Sequence, residues 1–154
     1  MTMDDLQFSE SVKIAIVFSG LYLWVGMLTG VWKYMQIRQS SQSRAHYYVD
    51  IAHRSSLLYA PATLILAVLA YFSAWSASIT FICVVINLIF FSFAIMSYIL
   101  HGALKDTTNQ FKVPHQMGKW HLPQWMMSFA MLLLALGEVL ATGILVFGVV
   151  LKFY

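Results

Sequence analysis

The chain is poor in the residue types that form many metal and disulfide centres. It has a single cysteine, Cys83, among 154 residues. This excludes an intramolecular disulfide and any zinc or iron–sulfur site built from several cysteines. Only 10% of the residues are charged, against about 25% in soluble domains. With 60% hydrophobic residues, the composition predicts an integral membrane protein embedded in a lipid bilayer. The small net charge of +3 indicates membrane topology rather than nucleic-acid binding.

Long apolar segments recur four times along the chain. A helix needs about 20 apolar residues to cross the hydrocarbon core, and the runs here are too long for barrel strands. The 50 residues from Ser55 to Leu104 contain no Lys, Arg, Asp or Glu, which suits two crossings separated by Ser73–Ser78. We predict one all-α domain over residues 1–154, a four-helix membrane bundle. The predicted spans are about 12–36, 47–73, 78–104 and 122–153.

The distribution of basic residues predicts the orientation. Seven of the nine Lys and Arg residues flank or fill the first and third connections: Lys33, Arg38, Arg44, Arg54, Lys105, Lys112 and Lys119. Because cytoplasmic loops carry an excess of such residues, we expect these connections in the cytoplasm and both termini on the non-cytoplasmic side. The acidic start, Met1–Glu10, lacks the basic region of a signal peptide. A bacterial inner membrane is the expected location.

Histidine is concentrated at the predicted cytoplasmic end. All five imidazoles fall there: His46, His53, His101, His115 and His121. Lipid-embedded chains have little structural use for imidazole, so the one-sided distribution predicts a functional site. Three interpretations remain open at this point, which are a haem site, a non-haem metal site and a set of interfacial residues without a ligand.

The first two interpretations use overlapping residues. A haem would take His53 or His101 as axial ligand, with cations for its propionates from the set Arg54, Lys105 and Arg44. A zinc, copper or iron site would instead use imidazoles with a carboxylate, drawn from His46, Asp50, His53 and His101.

Three short stretches resemble a known family. They are Ala52-His53-Arg54-Ser55-Ser56-Leu57-Leu58-Tyr59, Ser97-Tyr98-Ile99-Leu100 and Asn109-Gln110-Phe111. Together they resemble the styrene oxide isomerase and hydroxylaminobenzene mutase group of small four-helix membrane proteins, over about residues 45–111. The family's catalytic asparagine falls on Tyr59, and Tyr59-Ala60 stands where the family has Asn-Gly.

The resemblance implies a haem b protein that assembles as a trimer. His53 would then be the metal ligand, Tyr98 the active-site hydroxyl, and His101 a distal group. Tyr59 would be a second candidate proton donor, or would block that position. Arg54 and Lys105 are the candidate cofactor contacts from the haem interpretation above. The substrate would be a small apolar molecule, such as an epoxide. Two alternatives remain: an electron-transfer subunit with His53 and His101 on one haem, and an accessory subunit without its own catalysis.

Two further features lie inside the predicted spans. Glu138 is an intramembrane carboxyl group, which is costly and therefore indicates either function or a polar clamp to Asn87 or to Ser and Thr hydroxyls. Gly26 and Gly30 form a Gly-xxx-Gly pattern that allows close helix approach.

Overall fold

The computed structural model describes residues 8–154 and confirms an all-α four-helix bundle. The helices are α1 (Glu10–Gln39), α2 (Tyr47–Phe72), α3 (Ala77–Leu104) and α4 (Gln124–Phe153). All four are long and apolar enough to cross a membrane. The predicted spans agree with these bounds to within three residues. The acidic start, Met1–Gln7, lies outside the described residues.

Side chains at the helix ends fix two of these boundaries. The Ser76 hydroxyl accepts a hydrogen bond from the Ile79 amide at the start of α3, and His46 Nδ1 accepts one from the Tyr48 amide at the start of α2. These bonds satisfy amide groups that have no partner within the helix. Helix α3 ends where Lys105 adopts a left-handed conformation with φ of 51°. The chain therefore turns sharply after α3.

Helices α2 and α3 are the central elements, because each contacts all three other helices, and α2 has the more extensive contact with α1. The closest partner of α2 is α1, whose Gly26–Gly30 pattern packs against α2. A Cβ added at Gly26 would lie 2.6 Å from Leu57 Cδ2, and one added at Gly30 would lie 2.8 Å from His53 Cε1. Glycine is therefore required at both positions for this helix separation. This confirms the predicted packing role of the pattern.

Helix α4 packs on only one side. Its buried residues are Ala141, Leu145 and Gly148, while most of its other apolar side chains are exposed, as is normal for a helix that faces lipid. Thr142 Oγ1 donates a hydrogen bond to Asn87 Oδ1 at 3.0 Å, and the Asn87 amide donates to the Cys83 carbonyl. This network joins α3 to α4 in the middle of the bundle.

The connection before α4 contains a β-hairpin that the sequence did not predict. Strands β1 (His115–Met117) and β2 (Trp120–Leu122) pair antiparallel, with Gly118 at φ of 60° in the turn. Glycine tolerates this conformation without steric cost, which suits a two-residue hairpin turn. We call the bundle end formed by residues 40–54 and 98–123 the histidine end. The opposite end carries the α2–α3 connection, the start of α1 and the end of α4.

Candidate functional site

The five histidines lie at the histidine end, as predicted, but they do not form one cluster. His53 contacts α1, whereas His101 contacts Asp106 and Tyr48. His115 bonds the Gln110 carbonyl within the α3–α4 connection, and His121 is exposed on the hairpin. The imidazoles therefore have to be considered separately.

His53 lies in the groove between α1 and α2. Its Nδ1 is 2.8 Å from the Gly26 carbonyl oxygen, and its ring lies over Gly30. A carbonyl oxygen can only accept, so Nδ1 carries the proton and Nε2 keeps its lone pair. A backbone carbonyl that fixes one ring nitrogen in this way is a common arrangement around metal-ligating histidine. The neutral His53 ring is thus held in one orientation, with the lone pair on Nε2.

Two cations flank His53 and share one carboxylate. Asp50 Oδ1 lies 2.6 Å from Lys33 Nζ of α1, and Asp50 Oδ2 lies 2.7 Å from the guanidinium Nη2 of Arg54 of α2. Arg54 is next to His53 in the sequence, but its side chain forms an ion pair with Asp50. Lys33 joins this group through a contact between helices that sequence spacing alone could not reveal.

His101 is deeply buried, and its imidazole is hydrogen-bonded to a carboxylate. It is 2% exposed, and its Nδ1 lies 2.8 Å from Asp106 Oδ1. The Gly118 amide donates to Asp106 Oδ2 at 2.6 Å. Burial by itself would raise the pKa of Asp106, but the hydrogen bonds from Gly118 and His101 outweigh it and hold this pKa below its usual value. Asp106 thereby fastens the hairpin to the end of α3.

Tyr98 faces a small aromatic recess near the membrane surface. Its ring stacks on Tyr48 with centroids 6.0 Å apart, and both rings line a recess of about 270 Å³ together with Ile51 and Phe111. The Tyr48 hydroxyl accepts a 2.6 Å hydrogen bond from the Gln110 amide. The recess is thus lined by aromatic rings on one side and by the polar residues Thr108, Asn109 and Gln110 on the other.

Tyr59 and Glu138 lie deeper in the bundle. The Tyr59 ring stacks on Phe91 with centroids 4.3 Å apart. Glu138 Oε1 is buried and has no hydrogen-bond partner among residues 8–154. The predicted clamp from Glu138 to Asn87 is therefore wrong, because the Asn87 amide oxygen bonds Thr142 instead.

The His53 groove and the Tyr98 recess lie on different faces of α2. Tyr48 and His53 are five positions apart on the helix, which separates their directions by roughly 140°. The partners of His53 are Gly26 and Gly30 of α1, and none of them contacts His101. A single copy of the chain thus does not bring His53 and His101 together on one ligand.

The predicted non-haem site is likewise not assembled. Within the described part of the chain, no three His, Cys, Asp or Glu side chains group closely enough to hold a metal ion. His46 caps α2, Asp50 pairs with Lys33 and Arg54, and His53 faces α1. The spacing of these three residues along α2 is helical, but their nearest partners are different.

Lys105 lies away from His53, at the mouth of a loop pocket. This pocket, of about 460 Å³, is also lined by His46, Asp106 and Lys112. Burial and the nearby Lys105 ammonium lower the pKa of His46. Lys105 is therefore part of a separate cationic region rather than the surroundings of His53.

Comparison with known protein families, curated proteins and solved structures finds no match to this chain. Any function must therefore be argued from its own residues.

Proposed function

We propose that the chain is a haem b-binding integral membrane protein in which His53 is the axial ligand. The observation that carries the proposal is the 2.8 Å hydrogen bond from His53 Nδ1 to the Gly26 carbonyl. This bond leaves Nε2 unprotonated and fixes the ring plane. Lys33 and Arg54 share the single carboxylate of Asp50, so the group keeps one excess positive charge for a carboxylate of the cofactor. The resemblance of residues 45–111 to the isomerase group points to the same ligand.

The surroundings of His53 also favour an assembly of several copies. The ring is only partly buried within one copy, and a flat macrocycle needs a second wall. A neighbouring copy packed against the α1–α2 groove would supply that wall, consistent with the trimer that the resemblance implies. The excess of basic residues at the histidine end supports a cytoplasmic location for this end in a bacterial inner membrane, with both termini outside.

For catalysis we propose the rearrangement of a small apolar molecule such as an epoxide. Ferric haem would supply a Lewis-acid centre for the substrate oxygen. Tyr98 would donate a hydrogen bond to that oxygen from the aromatic recess, and Tyr59 is the second candidate donor. Tyr98 packs against one face of α2, on Tyr48, whereas His53 projects from another face of the same helix. The catalytic site would therefore have to combine His53 of one copy with Tyr98 of another.

Mixed oligomers test this arrangement. Copies that carry His53→Ala and copies that carry Tyr98→Phe should each be inactive alone. Co-assembled, they should recover part of the turnover, since some sites would then contain both wild-type residues. Equal inactivity in the mixture, with mixed assembly verified by differential tags, would contradict a site shared between copies.

A second candidate is a haem-containing electron-transfer or accessory subunit without its own catalysis. The separation of the Tyr98 recess from His53 favours it, because no tyrosine hydroxyl then has to reach the haem. An arrangement with His53 and His101 of one copy on one haem does not agree with their separate partners. In this candidate the sixth ligand would come from another copy or a partner subunit.

The deciding experiment is an absorption spectrum of detergent-purified protein from haem-supplied cells, oxidised and then reduced with dithionite. We expect a Soret band in the wild type and in His121→Ala, whose imidazole is exposed on the hairpin. The band should be lost in His53→Ala. His101→Ala should keep it, since His101 is bonded to Asp106 instead.

Two results would overturn the proposal. One is the absence of a Soret band in folded wild-type protein, and the other is an unchanged band in His53→Ala. Melting of each variant in detergent must be measured alongside, so that loss of haem is distinguished from loss of fold.

A further inference from the structure

A cationic pocket at the histidine end lies apart from the proposed haem ligand. Lys105, at the end of α3, and Lys112, in the following connection, line a cavity of about 460 Å³ with His46 and Thr108. A neighbouring groove of about 540 Å³ shares His46 and Lys105 and adds Arg44. The two concave surfaces therefore form one continuous region, which we call the cationic pocket, defined by Arg44, His46, Lys105 and Lys112.

One carboxylate, that of Asp106, lines this pocket beside the three cations Arg44, Lys105 and Lys112, so the positive charge is in excess. Over residues 8–154, Arg44, Lys105 and Lys112 form no ion pair. The histidine end has only two acidic residues, Asp50 and Asp106, and both already have partners. Asp50 is held by two cations, and Asp106 accepts from His101 and Gly118. An anion from outside the chain is the missing complement.

The pKa of His46 responds to the charge in this pocket. Its Nδ1 accepts from the Tyr48 amide, so the neutral ring carries its proton on Nε2 and can donate there. Burial and the Lys105 ammonium both lower the pKa of His46. A bound anion would act in the opposite direction and raise it.

The position of the pocket restricts the nature of the anion. His46 caps the start of α2 and Lys105 ends α3, so the pocket lies level with the ends of spanning helices, where lipid headgroups are found. The exposed apolar side chains of Tyr47 and Leu104 lie next to these two residues and can contact the upper part of an acyl chain. Clusters of basic residues just beyond the ends of spanning helices, like this one, suit anionic phospholipids.

We propose that the cationic pocket binds the phosphate group of an anionic phospholipid, with Lys105 and Lys112 as the charged contacts and His46 as a hydrogen-bond donor. The competing explanation is that these residues only set topology, in which case they remain solvated and bind no lipid specifically. A third is that the pocket takes free phosphate.

Native mass spectrometry of delipidated protein in detergent tests the proposal. Phosphatidylglycerol and phosphatidylcholine with identical acyl chains are added in turn. We expect preferential phosphatidylglycerol adducts, and affinity about 30-fold lower in the double variant Lys105→Gln, Lys112→Gln. The matched control is Lys13→Gln, Lys152→Gln, which removes the same charge from the opposite end and should leave these adducts unchanged. Equal loss in both double variants would overturn the proposal.

Proton NMR titration of His46 distinguishes the sources of the phosphate. Phosphatidylglycerol should raise the pKa of His46, and phosphatidylcholine should leave it unchanged. A rise with millimolar inorganic phosphate, and none with phosphatidylglycerol, would refute a lipid site in favour of a free-phosphate site. No change with either would refute anion binding altogether. His121, exposed on the hairpin, is the internal control in the same spectra.

Discussion

Replacing Gly30 by alanine should displace His53 from its groove. The new methyl group would lie 2.8 Å from His53 Cε1 and 3.0 Å from Nδ1, closer than carbon and nitrogen atoms can pack. The imidazole is a rigid ring, so it must rotate away or α1 must separate from α2. Either response breaks the 2.8 Å hydrogen bond to the Gly26 carbonyl.

The expected cost follows from these two effects. Overpacking of a close contact costs about 1–3 kcal/mol, and the lost hydrogen bond adds about 1 kcal/mol. The free energy of unfolding should therefore fall by about 2–4 kcal/mol relative to a glycine-to-alanine change in open space. Gly20→Ala provides that reference, because a Cβ at Gly20 meets nothing within 4 Å and lies on the same helix.

Unfolding of both variants in detergent with increasing dodecyl sulfate, followed by circular dichroism, measures this difference. A double-mutant cycle with His53→Ala isolates the pair. Once the imidazole is absent, Gly30→Ala should cost no more than Gly20→Ala. The reasoning would be refuted by equal stability of Gly30→Ala and Gly20→Ala, or by a Gly30→Ala penalty that persists without the His53 ring.

Two further predictions concern polar contacts between elements. Asp106→Ala should lower the free energy of unfolding at neutral pH by about 2 kcal/mol, because the buried His101 Nδ1 loses a charged acceptor. Since the pKa of Asp106 is lowered, its contribution is present above the unfolded value of about 3.9 and is lost as the pH falls through the folded pKa. The difference in free energy of unfolding between wild type and variant should thus become smaller as the pH falls, as measured by acid denaturation. A difference that stays constant with pH would contradict the stabilising role of the Asp106 carboxylate. Thr142→Val should cost about 0.6–1.7 kcal/mol in dodecyl sulfate unfolding by leaving Asn87 Oδ1 unpaired, while Thr142→Ser should retain most of the stability.

The helices could be predicted because their signal is local. An uncharged run of sufficient length must form a helix in lipid, whatever it packs against. The one-sided histidines were predicted for the same reason, since their position along each span sets their depth. Gly26 and Gly30 also carried a local pattern, and the structure assigns Leu57 and His53 as the side chains that they admit.

The partners within the site could not be predicted, because they depend on turns and on helix rotation. His101 meets Asp106 only because Lys105 adopts a left-handed conformation and reverses the chain. Asp50 meets Lys33 across the first connection, over 17 residues of sequence. Depth along a span indicates which residues lie at one level, but it does not say which face of the helix each one occupies.

That distinction decides how the candidate site is interpreted. His53, Tyr98 and His101 share a depth, and from the sequence they could form one pocket. The structure divides them across α2, with His53 against Gly26 and Gly30 on one face and Tyr98 with Tyr48 on the other. A reaction that uses both His53 and Tyr98 therefore requires a second copy of the chain. The proposed catalysis thus depends on the proposed oligomer. Haem binding through His53 alone does not depend on this and can be tested first.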